Sequence, residues 1–151
     1  LRSMEKELVD ILTASADVVL IEADGAGTRP CKAPAPYEPV ILPECDVVVG
    51  VMGLDAAGRP VSEVCFRTEI VCSRLGCGQD HLLTCDDMAD LMTRADCMRK
   101  DADGRRFFAV YNKCDDEERL EIGRTLCRMT EARGVRAVLT CMKPGGEWLR
   151  P

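Results

Sequence analysis

Two short stretches carry residue types that can do chemistry. The first is EADGAG, residues 22–27, which follows the apolar run Val18–Ile21. A carboxylate directly after such a run suits Mg²⁺, held directly or through water beside a bound phosphate. Glu22 and Asp24 are the candidates. Asp24, Gly25 and Gly27 also fit D-x-x-G. In that pattern the second glycine lets a backbone N–H approach a terminal phosphate. An Asp-Gly turn after a strand is the simpler use of the same residues.

The second stretch is NKCD, residues 112–115. Guanine offers N1–H and N2–H₂ side by side, and a carboxylate has two oxygens to accept them. Asp115 is the candidate acceptor, the Lys113 stem would lie along the base, and Asn112 would tie loops or meet N7. Adenine presents the wrong pattern to a carboxylate. The competing use is local: Asp115 or Asp116 caps a helix that starts near 117, and Lys113 is solvated. The two uses are compatible, because each needs only one carboxylate. No G-x-x-x-x-G-K-[ST] phosphate loop occurs in the sequence, and no catalytic residue stands out.

These residues need elements to position them. Helical spacing of Met4, Leu8, Ile11 and Leu12 predicts a helix over 3–15 with Ser3 as its cap. Residues 17–22 and 46–52 read as buried strands. Between them lies a proline-rich stretch, with prolines at 30, 34, 36, 39 and 43, which reads as a long irregular loop. Residues 61–75 read as one helix, which would place Cys65 and Cys72 on one face. Thr84 and Asp87 form a capping box for a short helix. Residues 106–111 and 135–141 read as strands flanking a helix over 116–133 that Gly134 ends. Short, continuous Val/Leu/Ile strands alternating with helices predict an α/β fold with a mostly parallel sheet and helices on both faces. Ligands in such folds bind at the carboxyl ends of the strands, where both stretches sit.

Bulk composition narrows the classes. The chain has 151 residues, 46% hydrophobic and 30% charged, which suits a single α/β domain over 1–151. A net charge of −6 argues against nucleic-acid and anionic-membrane partners. The apolar runs are too short to span a bilayer, and no signal segment opens the chain, so a cytoplasmic protein is expected. The ten cysteines form no C-x-x-C and read mostly as small reduced core residues. Cys72, Cys77, His81 and Cys85 are the one cluster with metal-ligand types, at a spacing that fits no zinc motif.

The stretch from Ala16 to Val64, together with LTCDDMADLM and FFAVYNKCD, closely resembles the YqeC family of selenium-dependent hydroxylase accessory proteins. The resemblance covers about residues 15–120. It implies a three-layer P-loop NTPase-like fold, with a Gly-rich phosphate loop that this sequence does not contain. It also implies a nucleotide-dependent role, with GTP or ATP and Mg²⁺, in selenium cofactor biosynthesis and maturation of molybdenum hydroxylases. Glu22 and Asp24 would sit at the metal. Gly25, Gly27, Lys32, Asn112, Lys113 and Asp115 would sit at the nucleotide, and Glu38 matches in the proline-rich loop. Lys32 alternatively reads as a solvated loop lysine. In P-loop folds the phosphate-loop strand lies between the strands placed here at 17–22 and 46–52. A gap is therefore expected between those two strands, as in a fragment of a longer protein, or one filled by a strand from a second copy. The rival class is a non-enzymatic scaffold whose cysteines and proline-rich loop contact a maturation partner or a selenium species.

Overall fold

A computed structural model describes residues 6–142. Helix α1 (Lys6–Ser15) buries Val9 and leaves Leu8 and Ile11 exposed. Its expected cap, Ser3, and Met4 lie outside the described residues. The chain then runs without a strand to β1 (Cys31–Lys32) and β2 (Val47–Gly53). A 3₁₀ turn, Leu54–Ala56, leads to α2 (Val61–Val64), β3 (Cys65–Phe66) and α3 (Thr68–Leu75). Helix α4 (Cys85–Thr93), β4 (Arg106–Asn112), α5 (Glu117–Ala132) and β5 (Arg136–Leu139) complete it.

The architecture is α/β with two open, all-parallel sheets, consistent with a P-loop-like fold. One sheet has the order β2-β4-β5 and the other pairs β1 with β3. Register partners such as Val49 with Phe108 and Val110 with Val138 share a face. The alternate residues Met52, Ala109 and Tyr111 point the other way, into a core with Met88, Leu91, Met92 and Leu126 of α4 and α5. Gly123 lets α5 lie close on β5, since a Cβ there would stand 2.6 Å from the Leu139 side chain. The Tyr111 hydroxyl is satisfied inside this core by Thr130 Oγ1 at 2.6 Å. On the opposite face Val47, Val49, Val51 and Val138 remain between a third and a half exposed. The helical cover expected on both faces is thus incomplete on this one.

Two sequence expectations are corrected. Residues 17–22 form no strand, with a bend at Asp17 and irregular chain after it. Val18 is 75% exposed and Leu20 is 91% exposed. Strand propensity is realised only with a pairing partner, and here the facing edge of β2 is across an open cavity. Below the cavity Gly53 N–H donates to Pro30 O at 2.8 Å. By strand alternation the backbone groups of Val49 and Val51 face the same side as that N–H. No backbone hydrogen bond joins residues 17–22 to β2 among the described residues. Residues 17–22 and β2 thus line opposite sides of one cavity without pairing.

The second correction is the helix over 61–75, which breaks in the middle. Cys65 and Phe66 leave the helix to pair with Cys31 and Lys32, and Arg67 takes a left-handed conformation at φ 60°. Its side chain is drawn to Glu38, a tertiary contact that local periodicity does not register. Cys65 and Cys72 consequently share no helix face. By contrast, the Thr84–Asp87 capping box forms as expected, with Asp87 N–H donating to Thr84 Oγ1 at 3.1 Å. Gly134, at φ 81°, follows the end of α5.

Candidate functional site

The acidic loop is held from beneath by buried charge. Lys32 is 3% exposed, so it is not the solvated loop lysine that its sequence context allowed. Its Nζ lies 2.9 Å from Asp24 Oδ2, 2.9 Å from Gly25 O and 3.0 Å from Glu38 Oε2. Two of these contacts are hydrogen bonds and the third is an ion pair, so the ammonium is held on three sides. Arg67 then grips Glu38 from the other side, Nη2 to Oε1 at 2.6 Å and Nε to Oε2 at 3.2 Å. The guanidinium stacks on Phe66, 4.8 Å from the ring centroid, and on Tyr37 at 5.4 Å. Burial opposes ionisation of Glu38, but the hydrogen bonds from Arg67, Lys32 and Ala35 N–H outweigh it and bring its pKa down to about 2. Gly27 has φ 56°, and a Cβ there would meet the Phe66 ring at 2.9 Å. The glycine that D-x-x-G asks for is thus also the residue this turn needs.

The second loop, at the end of β4, is held by its own helix, by the next strand and by Asp55. Asn112 Oδ1 accepts from Thr140 Oγ1 at 3.0 Å, and Cys114 N–H donates to Thr140 O at 3.1 Å. Lys113 sits at φ 66° and reaches back to Asp55 Oδ2 at 2.7 Å. Asp55 Oδ1 is buried and has no hydrogen-bond partner. The capping question resolves clearly. Asp116 is the N-cap of α5 and accepts from Arg119 N–H at 2.8 Å. Asp115 takes a separate role: its Oδ2 meets Arg119 Nη1 at 3.0 Å and its Oδ1 accepts from Cys141 Sγ at 3.3 Å. A base reading Asp115 would share or displace those donors.

One cavity of about 640 Å³ connects the two loops. Glu22, Asp24, Arg29, Lys32, Asn112 and Lys113 line it, with Val47, Val49 and Val51 along one wall and Val19 and Ile21 along another. Gly25, Gly27 and Asp115 are not in its lining. Cys31, Cys45 and Cys97 also reach it. Asp24 places one carboxylate oxygen on Lys32 and lines the cavity. No group of three or more His, Cys, Asp or Glu among the described residues suits a metal ion by itself. That donor set fits Mg²⁺ only as a shared ion, with one or two carboxylates completed by phosphate oxygens and water. The Cys72/Cys77/His81/Cys85 cluster forms no such group either, and His81 instead contacts Asp87 Oδ2 at 2.8 Å.

Sequence reasoning missed Arg67 and Asp55. Asp55 follows the apolar end of β2, the same strand-end signal that singled out Asp24. Arg67 lies in a stretch with helical spacing and carries no comparable signal.

The parallel sheet, with its candidate loops at the strand ends, defines an α/β protein whose architecture is consistent with a P-loop-like fold. Residues 1–69, a little under half of the chain, match the family model described as YqeC protein. No curated protein and no solved structure matches the chain. No helix among the described residues is long and apolar enough to cross a membrane.

Proposed function

We propose that this chain is a nucleotide-dependent accessory protein acting in selenium cofactor biosynthesis or in maturation of selenium-dependent molybdenum hydroxylases. The carrying observation is the single cavity into which the acidic loop and the Asn112–Lys113 loop both open. In this reading Asp24, with Glu22 beside it, holds Mg²⁺ against the phosphates. Gly25 and Gly27 bring backbone to the phosphates, and Asn112, Lys113 and Asp115 receive the base, as GTP or ATP. Lys32 acts through Asp24, Gly25 and Glu38, which hold its buried ammonium in place. The open edge of β2 is the seat of one further strand, which would bring the phosphate grip that this sequence lacks. Titration of fluorescent GTP and ATP with Mg²⁺ tests the reading. GTP binding that is lost in Asp115→Ala, with ATP unaffected, supports the guanine assignment; no binding of either nucleotide refutes the reading for this chain.

A second reading rests on Cys31, Cys45 and Cys97 in the same cavity. Thiolates bind soft atoms, and a scaffold of this kind would carry a selenium species or contact a maturation partner without nucleotide. Selenium binding that is lost on thiol alkylation, with no nucleotide bound, favours it.

A further inference from the structure

Cys31 and Cys65 face each other across the two-residue ladder of β1 and β3. They are register partners in the parallel pair β1–β3, and both are buried. Neighbouring strands lie about 4.7–4.9 Å apart. That spacing falls inside the range of roughly 4.4–6.8 Å between the Cα atoms of a disulfide. The Cβ atoms of register partners stand near the strand spacing, slightly beyond the usual Cβ separation of a disulfide. A small closure would make the bond, and the bond would carry strain. Strained disulfides are the reducible ones.

We propose that Cys31 and Cys65 form a reversible, two-electron thiol-oxidation site. No other cysteine pair in the described ladders is in register. The neighbouring Cys31 thiol brings the Cys65 pKa down, which burial opposes and the Arg29 guanidinium favours. The same proximity, with burial, pushes the Cys31 thiol up. Cys31 also lines the large cavity, which gives a small oxidant a route to the pair.

The oxidant class is a hydroperoxide. The Cys65 thiolate attacks the O–O bond, forming an S–O bond and releasing hydroxide, which takes up a proton. The Cys31 sulfur then displaces the hydroxyl of the resulting sulfenic acid as water and forms the S–S bond. Two thiols lose two electrons and two protons, and hydrogen peroxide becomes two waters. The product staples β1 to β3. Lys32 is adjacent to Cys31 and Arg67 lies two residues beyond Cys65, so the staple fixes both cations that grip Glu38.

The test is peroxide titration of the folded full chain, followed by alkylation of remaining thiols and mass spectrometry of the peptides. The expected product is a Cys31–Cys65 linked peptide that a thiol reductant reverses. It should persist in Cys97→Ser and vanish in Cys65→Ser. In the wild-type chain it should form at least about tenfold faster when folded than in urea, because the fold pre-positions the sulfurs. Three results overturn the proposal: both thiols alkylated after Cys45 has been oxidised, Cys31 joined to Cys97, or a folded rate no greater than the unfolded one.

Discussion

The two loops that open on the cavity are built by opposite means. The acidic loop is fixed by long-range buried charge, a chain of ion pairs running from Asp24 through Lys32 and Glu38 to Arg67. The 112–116 loop combines a helix cap and an i,i+4 ion pair within its own helix with hydrogen bonds to the next strand and one long-range, half-exposed ion pair from Lys113 to Asp55. A loop tied by charges from distant segments depends on the whole fold and on the protonation of one carboxylate. A loop tied by its own helix survives local change. The difference assigns stability to the first loop and leaves the second free to be tuned for recognition.

The most damaging way to challenge this contrast is Glu38→Ala. It leaves Lys32 and Arg67 facing each other without their shared anion and should cost about 3–5 kcal/mol, measured by urea unfolding. The same carboxylate sets an acid limit. Its folded pKa of about 2 lies below its usual value of 4.5, so the folded state binds fewer protons than the unfolded one. Its stabilisation is full above about pH 4.5 and is lost as pH falls towards 2. Unfolding free energy measured from pH 5 to 2 should fall more steeply in the wild type than in Glu38→Gln.

A smaller effect is expected where the two loops approach each other. Gly53→Ala would place a Cβ 2.3 Å from Asp55 Oδ1 and 2.9 Å from the Pro30 Cβ. It should destabilise by about 1–3 kcal/mol in thermal or urea melts, by pushing the acidic loop off β2. Smaller still, Asp116→Ala removes the α5 cap and should cost about 1 kcal/mol while leaving any GTP affinity intact. Asp115→Ala should show the converse pattern in the same two assays. If Asp115→Ala proves the more destabilising of the pair, the separation of cap from reader fails. The smallest effect belongs to Arg59→Ala, whose partner Glu63 is equally exposed, and which should alter stability by no more than about 0.5 kcal/mol.

Signals that depend on near neighbours were legible without coordinates. The Thr84–Asp87 box, the Gly134 stop, the strands of the β2-β4-β5 sheet and the strand-end position of both loops follow from local chemistry and periodicity. The sequence also marked Asp116 as one of two capping candidates, and the structure chose it because Asp115 turns instead to Arg119 and Cys141.

Tertiary structure decided what spacing cannot encode. Residues 17–22 have strand composition, but pairing needs an edge within reach, and the cavity beside β2 withholds it. Residues 61–75 have helical spacing, but the Arg67–Glu38 contact and the pairing of Cys65 with Cys31 break the helix at its centre. Lys32 reads as a surface lysine in a proline-rich loop and is buried because Asp24 and Glu38 converge on it from either side. In the last two cases a long-range contact outweighs a local preference worth less than about 1 kcal/mol per residue, and in the first that preference finds no partner to realise it. The sequence by itself determined which residues stand at the strand ends; only the fold decided which of their charges remain available to a ligand.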